Sequence, residues 1–269
     1  MIRGIPTTLT SVTALDKFLK TKLAAYLLPS VALLLLLIIW EATTHVLQVP
    51  TFLLPAPSDI WLAAQSYGST VWENGLHTLN TTLIGFFLGL GLGVFLGFLI
   101  GYSRLAYVVL YPLLVGFNTI PKVALVPLLA IWFGIGAIPA VITAFTLAFF
   151  PIVVNVAAGL ATVEPEMQDV LRSLGASPWE VFQKVGFPHS LPYLFASLKV
   201  AISQAFIGSV ISETVASNRG IGYVIVTASS SFNVPLAFLA ILTLAAMGIL
   251  LYGCFALIEQ RTIHWARQP

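Results

Sequence analysis

Charge is what this sequence has least of. Only 8% of its 269 residues are Asp, Glu, Lys or Arg, against about 25% in an average soluble chain. So little charged surface does not keep a compact particle of this size in water. Disorder is excluded from the other side. A disordered chain combines low hydrophobicity with high charge, and here 58% of residues are hydrophobic. Cysteine is nearly absent. The single Cys254 cannot form an internal disulfide, and in its apolar stretch it reads as a small apolar residue. Neither charge sign dominates, with twelve basic residues against ten acidic, so no basic patch suggests nucleic acid. The histidines His45, His77, His189 and His264 are far apart and form no metal-ligand pair, and no nucleophile motif accompanies them. These absences argue against a membrane enzyme.

Long apolar runs are what the chain does have, and they make it a polytopic membrane protein of the all-α class. A helix needs about 20 apolar residues to cross a bilayer. The first charge-free stretch lies between Lys22 and Glu41, centred on Leu33 to Leu37. No small-x-small cleavage site follows it, so it reads as a retained helix rather than a signal peptide. The second runs from Glu73 to Arg104. The third starts at Leu105, carries Lys122 after a backbone break at Pro121, and ends at Gly134. Gly134 to Pro139 reads as a turn. A fourth span covers about Ala140 to Ala161, a fifth about Leu191 to Val215, and a sixth about Val234 to Ile258. The expected architecture is a bundle of six transmembrane helices.

Lys and Arg favour cytoplasmic loops. One set of loops holds Arg3, Lys17, Lys20, Lys22, Arg104, Arg172, Lys184, Arg261 and Arg267, and the other set holds Arg219 alone. Both termini and the Val163–Pro188 segment are therefore expected on the cytoplasmic side. Val49–His77, with Trp61 and Trp72, is expected outside. The chain divides into a cytoplasmic segment 1–23, a transmembrane domain 24–260 and a cytoplasmic tail 261–269. Within the second span Gly85, Gly89, Gly93, Gly97 and Gly101 recur every fourth residue. That places glycine on one helical face and permits close helix approach, within the bundle or at a dimer interface.

The Val163–Pro188 segment carries six charges. After Pro165, the residues Met167, Val170, Leu171 and Leu174 fall at helical spacing, so a short amphipathic helix is expected. Glu164 and Glu166 suit its N-terminus, and Gly175 suits a left-handed stop. Ser177, Pro178 and Glu180 read as an N-cap, a first helical residue and a capping-box partner. A second short helix, with Val181, Phe182 and Val185 on one side, is expected to end at Gly186-Phe187-Pro188. The alternative is a plain interfacial loop on lipid headgroups.

These residues resemble a family. The pattern E-A-A-x-x-x-G-x9-I-x-L-P marks permease subunits of bacterial ABC importers. Here it reads Asp169-Val170-Leu171-Arg172-Ser173-Leu174-Gly175, nine residues, then Val185-Gly186-Phe187-Pro188. Every landmark spacing agrees, while Asp169, Val170 and Leu171 replace the usual Glu and two alanines. Leu54-Pro55-Ala56-Pro57-Ser58, Ile131-Trp132-Phe133-Gly134-Ile135-Gly136, Ser173-Leu174-Gly175-Ala176-Ser177 and Arg219-Gly220-Ile221-Gly222-Tyr223 are similar to the nitrate/sulfonate/taurine/bicarbonate-type branch. The resemblance implies the type I (MetI-like) permease fold in a bacterial inner membrane. It implies a homodimer of permeases, two ABC ATPase subunits below and a soluble substrate-binding protein outside. The chain lacks a G-x-x-x-x-G-K-[ST] phosphate loop, so ATP and Mg are expected on the ATPase partners, with no cofactor or metal bound here. The implied ATPase-coupling set is Glu166, Asp169, Val170, Leu171, Arg172, Ser173, Leu174, Gly175, Ala176 and Ser177.

Polar groups inside spans are costly and often functional. Asn80, Asn118, Thr119, Lys122, Asn155, Lys199, Ser203, Gln204, Ser209, Ser212 and Glu213 are such groups. Asn118, Lys122, Asn155, Ser209, Ser212 and Glu213 are the expected translocation path. Lys122 either attracts an anionic solute at mid-membrane or is paired internally, for example with Glu213. Lys199 is expected to snorkel to the cytoplasmic surface. Asn118 and Thr119 are alternatively caps of the broken helix. The implied substrate is a small polar or anionic solute: nitrate, a sulfonate or taurine, bicarbonate, a thiamine or riboflavin-type precursor, or an aromatic carboxylate. An ion-coupled secondary transporter is the competing reading, although such carriers usually show internal repeats and embedded carboxylates.

Overall fold

Apolar runs without strong breakers fold as helices, because lipid offers the backbone no hydrogen-bond partner. The computed structural model describes residues 22–263, and no strand occurs among them. Most of the expected segment 1–23, most of the tail 261–269, and the residues Arg3, Lys17, Lys20, His264 and Arg267 lie outside the described residues. The elements in order are α1 (Lys22–Val46), α2 (Pro57–Tyr102), α3 (Arg104–Thr119), a 3-10 turn (Lys122–Leu125), α4 (Val126–Phe133) and α5 (Ala137–Ala161). They continue with α6 (Pro165–Ser173), α7 (Pro178–Val181), a π turn (Phe182–Gly186), α8 (Phe187–Ala216), α9 (Ile221–Ser230) and α10 (Val234–Thr262). Among the described residues five helices are long and apolar enough to span, and the pair α3 and α4, bent by 74°, makes a sixth candidate.

Three boundaries differ from the sequence reading. The helix expected from Glu73 begins at Pro57 and runs 46 residues. Nothing between Pro57 and Tyr102 breaks it, and the Asp59 side chain accepts from the Ala56 N–H at 3.0 Å to cap its start. At about 1.5 Å per residue its length of about 69 Å is over twice a hydrocarbon core of about 30 Å. Much of Val49–His77 is therefore helix rather than loop.

The second difference is at Gly186-Phe187-Pro188, which does not end a helix. Proline cannot donate to the carbonyl four residues back. The chain widens into the π turn instead, with the Phe187 N–H reaching the Phe182 carbonyl, and continues as α8. The third is α9, a ten-residue helix that follows the Ser217–Gly220 loop.

The glycine ridge is an internal contact. α2 and α5 run side by side, and a Cβ added at Gly85, Gly93 or Gly97 would come to 2.5 Å of Ala144 Cβ, 3.0 Å of Ile152 Cβ or 2.7 Å of Val156 Cβ. Both helices repeat every fourth residue, so the same register holds along the whole seam. Behind it, Phe86 joins Ala148 and Ile152 of α5 with Leu198, Ala201, Ile202 and Ala205 of α8 in one buried cluster. The trio α2, α5 and α8 is the core. α1 lies at the edge, attached where the Glu41 carboxylate accepts from the Ser58 N–H and hydroxyl at 3.0 and 2.7 Å.

Candidate functional site

The α6–α7 segment is built by local capping. The Ala176 N–H bonds the Leu171 carbonyl and the Gly175 N–H bonds the Arg172 carbonyl, both at 3.0 Å. This is the paired hydrogen-bond stop in which the residue after the cap takes a left-handed conformation, and Gly175 has φ +83°. Next, the Ser177 N–H and hydroxyl donate to Glu180 Oε2 at 2.7 and 2.9 Å, and the Glu180 N–H donates to Ser177 Oγ at 3.3 Å. The capping box expected from the sequence is present.

α7 and the π turn are held to α2 by rings. Trp179 stacks on Phe182 with centroids 5.3 Å apart, and Phe182 meets Phe98 edge-on at 5.4 Å. α6 is held differently. None of its residues is buried. Leu171 and Gln168 are half-buried toward the bundle, while Met167, Val170 and Leu174 are 49%, 59% and 78% exposed. An amphipathic helix thus turns an apolar stripe away from its own bundle. Asp169 pairs with Arg172 at 3.3 Å, leaving Glu166 and Ser173 exposed beside the stripe. Ala176 is half-buried and Ser177 exposed at the turn.

At the opposite end of the bundle, α8, α2 and the start of α9 meet in a polar node. Glu213 is 1% exposed. Its Oε2 accepts from Thr78 Oγ1 at 2.8 Å and from the Gly222 N–H at 3.1 Å. Thr78 Oγ1 also accepts from the Ile221 N–H at 2.9 Å, and Asn74 Oδ1 accepts from the Gly220 N–H at 2.7 Å. Three side chains therefore satisfy the N–H groups of the N-cap Gly220 and of the first two residues of α9, groups a helix leaves unpaired. Glu213 Oε1 has no hydrogen bond among the described residues and stands 3.6 Å from His77 Nδ1. One turn along, Ser209 and Thr81 share a hydrogen bond at 2.5 Å, and Ser212 is buried with its hydroxyl unpaired among the described residues.

The other polar candidates are dispersed. Lys122 is buried at the break between α3 and α4, and its ammonium donates to the Asn118 carbonyl and Oδ1 at 2.7 and 2.5 Å. Its partner is Asn118, not Glu213. It thereby supplies positive charge to the C-terminal turn of α3, where a helix favours a cation. The Asn155 amide donates to the Pro151 carbonyl at 2.8 Å, and the Thr119 hydroxyl to the Gly116 carbonyl at 2.7 Å. Asn80 is exposed and Gln204 half-buried, while the Ser203 hydroxyl bonds the Lys199 carbonyl at 3.0 Å. Lys199 reaches Glu259 of α10 at 2.6 Å, a partner that replaces the expected snorkelling. Asn74, Thr78 and Glu259 are the residues sequence reading missed. They lie 60 to 146 residues from their partners, and no local pattern marks such pairs.

Comparison with known proteins places this geometry. The family model described as "Binding-protein-dependent transport system inner membrane component" matches residues 89–264. The riboflavin transport system permease protein of Chloroflexus aurantiacus is 33% identical over 239 residues, covering 87% of this chain and 88% of the relative. The formylaminopyrimidine transport permease protein of Halalkalibacterium halodurans is 30% identical over 241 residues, covering 89% and 96%. An inward-facing structure of the MetNI methionine ABC transporter aligns with a TM-score of 0.62 at 19% identity, over 69% of this chain and 93% of that one. That last likeness carries the fold alone.

Proposed function

Because the chain belongs to the family of binding-protein-dependent transport system inner membrane components, we infer that its exposed α6 is the site at which separate ATPases drive it. The chain is the permease subunit of an ABC importer and not an enzyme; hydrolysis belongs to its partners. As in its family, it works with an ATPase and a substrate-binding protein in a multi-pass membrane arrangement. The finer assembly is part of the proposal: two copies of this permease, two ATPase subunits and one soluble binding protein. ATP and Mg sit on the ATPases. Both termini and α6 face the cytoplasm, and α9 faces outward.

The observation that carries the coupling role is the outward apolar stripe Met167, Val170 and Leu174 on a helix with no buried residue. Such a stripe is matched to a groove on another protein. Glu166, Asp169, Arg172 and Ser173 form its polar rim, and the Gly175–Ser177 turn, with Leu171 and Ala176 turned inward, fixes its angle. α7 then transmits displacement through the Trp179–Phe182–Phe98 rings into α2. Rigid-body coupling of this kind needs contacts that differ between two states.

The proposed cargo is a small polar or anionic solute. The relatives named for riboflavin and formylaminopyrimidine favour a nitrogen heterocycle over the sulfonates and taurine of more distant relatives. Asn118 and Lys122 at the break, with Asn155, are the proposed path residues. Ser209, Ser212 and Glu213 belong to the node that holds α9, and a role in the path would be exerted through that helix.

Mild-detergent purification of the tagged chain, followed by native mass spectrometry, tests the assembly. Two permeases with two ATPases are expected, and uptake in proteoliposomes is expected to require internal ATP. Uptake driven by an ion gradient with no nucleotide would replace this reading with the secondary carrier.

A further inference from the structure

Arg104 opens α3 at the α6 end of the bundle. Lys122, Arg172 and Lys199 each meet a partner within the chain. Arg104 has no ion pair among the described residues. It stands instead on the lining of a cavity of about 720 Å³ between α2, α3 and α5. That volume falls within the roughly 300–1,000 Å³ of ligand sites.

The walls of the cavity decide what fits. Val154, Ala157 and Ala158 form the α5 side. On the α3 side are Tyr107 and Tyr111, one turn apart, with rings stacked at 5.0 Å and 14°. The surface is aliphatic and aromatic, with one guanidinium at its edge. A hydrated solute would leave most of its own polar groups unpaired there. α3 itself has no buried residue and exposes Leu105, Val108, Val109 and Leu113. Val108 belongs both to that exposed apolar face and to the cavity lining. The cavity therefore opens onto the exposed apolar face of α3.

Arg104 and the tyrosines lie where a span leaves the membrane, the level at which arginine and tyrosine meet headgroups. A guanidinium matches phosphate oxygens with paired hydrogen bonds. We propose that this cleft holds one anionic phospholipid of the leaflet at the α6 end. The phosphate sits on Arg104 beside the Tyr107 phenol, and an acyl chain lies along Val154, Ala157 and Ala158. The lipid then fills the gap between α3 and α5, and it fastens the half of the broken span that the chain itself buries least. This goes beyond the transport reading and does not depend on the substrate.

The test uses the assembled transporter, purified, stripped of lipid and titrated with phosphatidylglycerol or phosphatidylethanolamine of the same chain length, read by native mass spectrometry. One phosphatidylglycerol per permease chain is expected to persist, in preference to phosphatidylethanolamine. Arg104→Gln should weaken it at least about tenfold, in keeping with a hydrogen bond to a charged group. Val108→Trp fills the cavity from its exposed wall and should displace the lipid without touching the core, while Val200→Trp, on an exposed face of α8, should not. Equal retention in Arg104→Gln and Val108→Trp overturns the proposal. So does disulfide cross-linking between two Val108→Cys copies in a complex free of lipid, which would mean that a second permease covers the cleft.

Discussion

Glu213 accepts a hydrogen bond from the Thr78 hydroxyl at 2.8 Å, although 135 residues separate them. Through this pair α8 and α2 together hold the first turn of α9, since Glu213 also accepts from Gly222 and Thr78 from Ile221. A carboxylate at a helix N-terminus is electrostatically favoured. An intramembrane carboxylate that looks like a solute ligand in one dimension is thus engaged, through Oε2, with a hydroxyl and a backbone N–H that hold α9.

Removing that acceptor should loosen α9. In Glu213→Ala the Gly222 N–H is left buried and unpaired, a cost of about 1–3 kcal/mol. Glu213→Gln retains an acceptor and should lose less. The measurement is the rate of limited proteolysis at the Ser217–Gly220 loop together with the melting temperature in detergent. Equal melting for Glu213→Ala and the parent chain would dismiss the node as an anchor.

The glycine seam makes a sharper contrast. A Cβ at Gly97 would stand 2.7 Å from Val156 Cβ, whereas one at Gly91 meets nothing within 4 Å. Overpacking of this kind costs about 1–3 kcal/mol. Gly97→Ala should lower thermal stability accordingly, and Gly91→Ala should leave it unchanged or slightly raised. A melting series over the two variants checks it.

Gly175→Ala separates coupling from folding. No atom lies within 4 Å of the added Cβ, so strain at φ +83° is the cost, about 1 kcal/mol. The variant should insert and assemble, yet show reduced substrate-stimulated ATPase activity as the stop of α6 shifts. Activity equal to the parent in matched proteoliposomes would remove Gly175 from the coupling set.

Lys122 is the test of the path. Lys122→Ala should lower uptake while the complex still purifies intact. Asn118→Ala should mimic it in part, because Asn118 holds the ammonium at 2.5 Å. Uptake unchanged at low substrate concentration would leave Lys122 with a capping role alone.

Local chemistry made much of this protein legible. The six spans rest on apolar length. The Pro121 break rests on a missing donor, and the Gly175 stop and the Ser177–Glu180 box rest on residues at most five apart. All of these are short-range effects, and the Pro121 break, the Gly175 stop and the box appear where the sequence places them, while the spans appear with shifted boundaries. The α6 stripe is readable for the same reason, as a helical period of apolar residues. The proline at 188 misled that reading, because whether a helix ends or widens around a missing hydrogen bond depends on what packs beside it. Here Phe182 and Phe187 pack against Phe98 and the helix continues.

Pairing across the bundle is of another kind. A glycine every fourth residue in α2 announces a close neighbour but not which one. Only the three-dimensional arrangement selects α5, by matching the ridge to Ala144, Ala148, Ile152 and Val156 in the same four-residue register. Likewise, Lys199 finds Glu259, Lys122 finds Asn118 and Glu213 finds Thr78. Burial makes an unpaired polar group expensive, so each must find a partner. Which partner it finds depends on the helix positions, and those are settled by the packing of all the spans together.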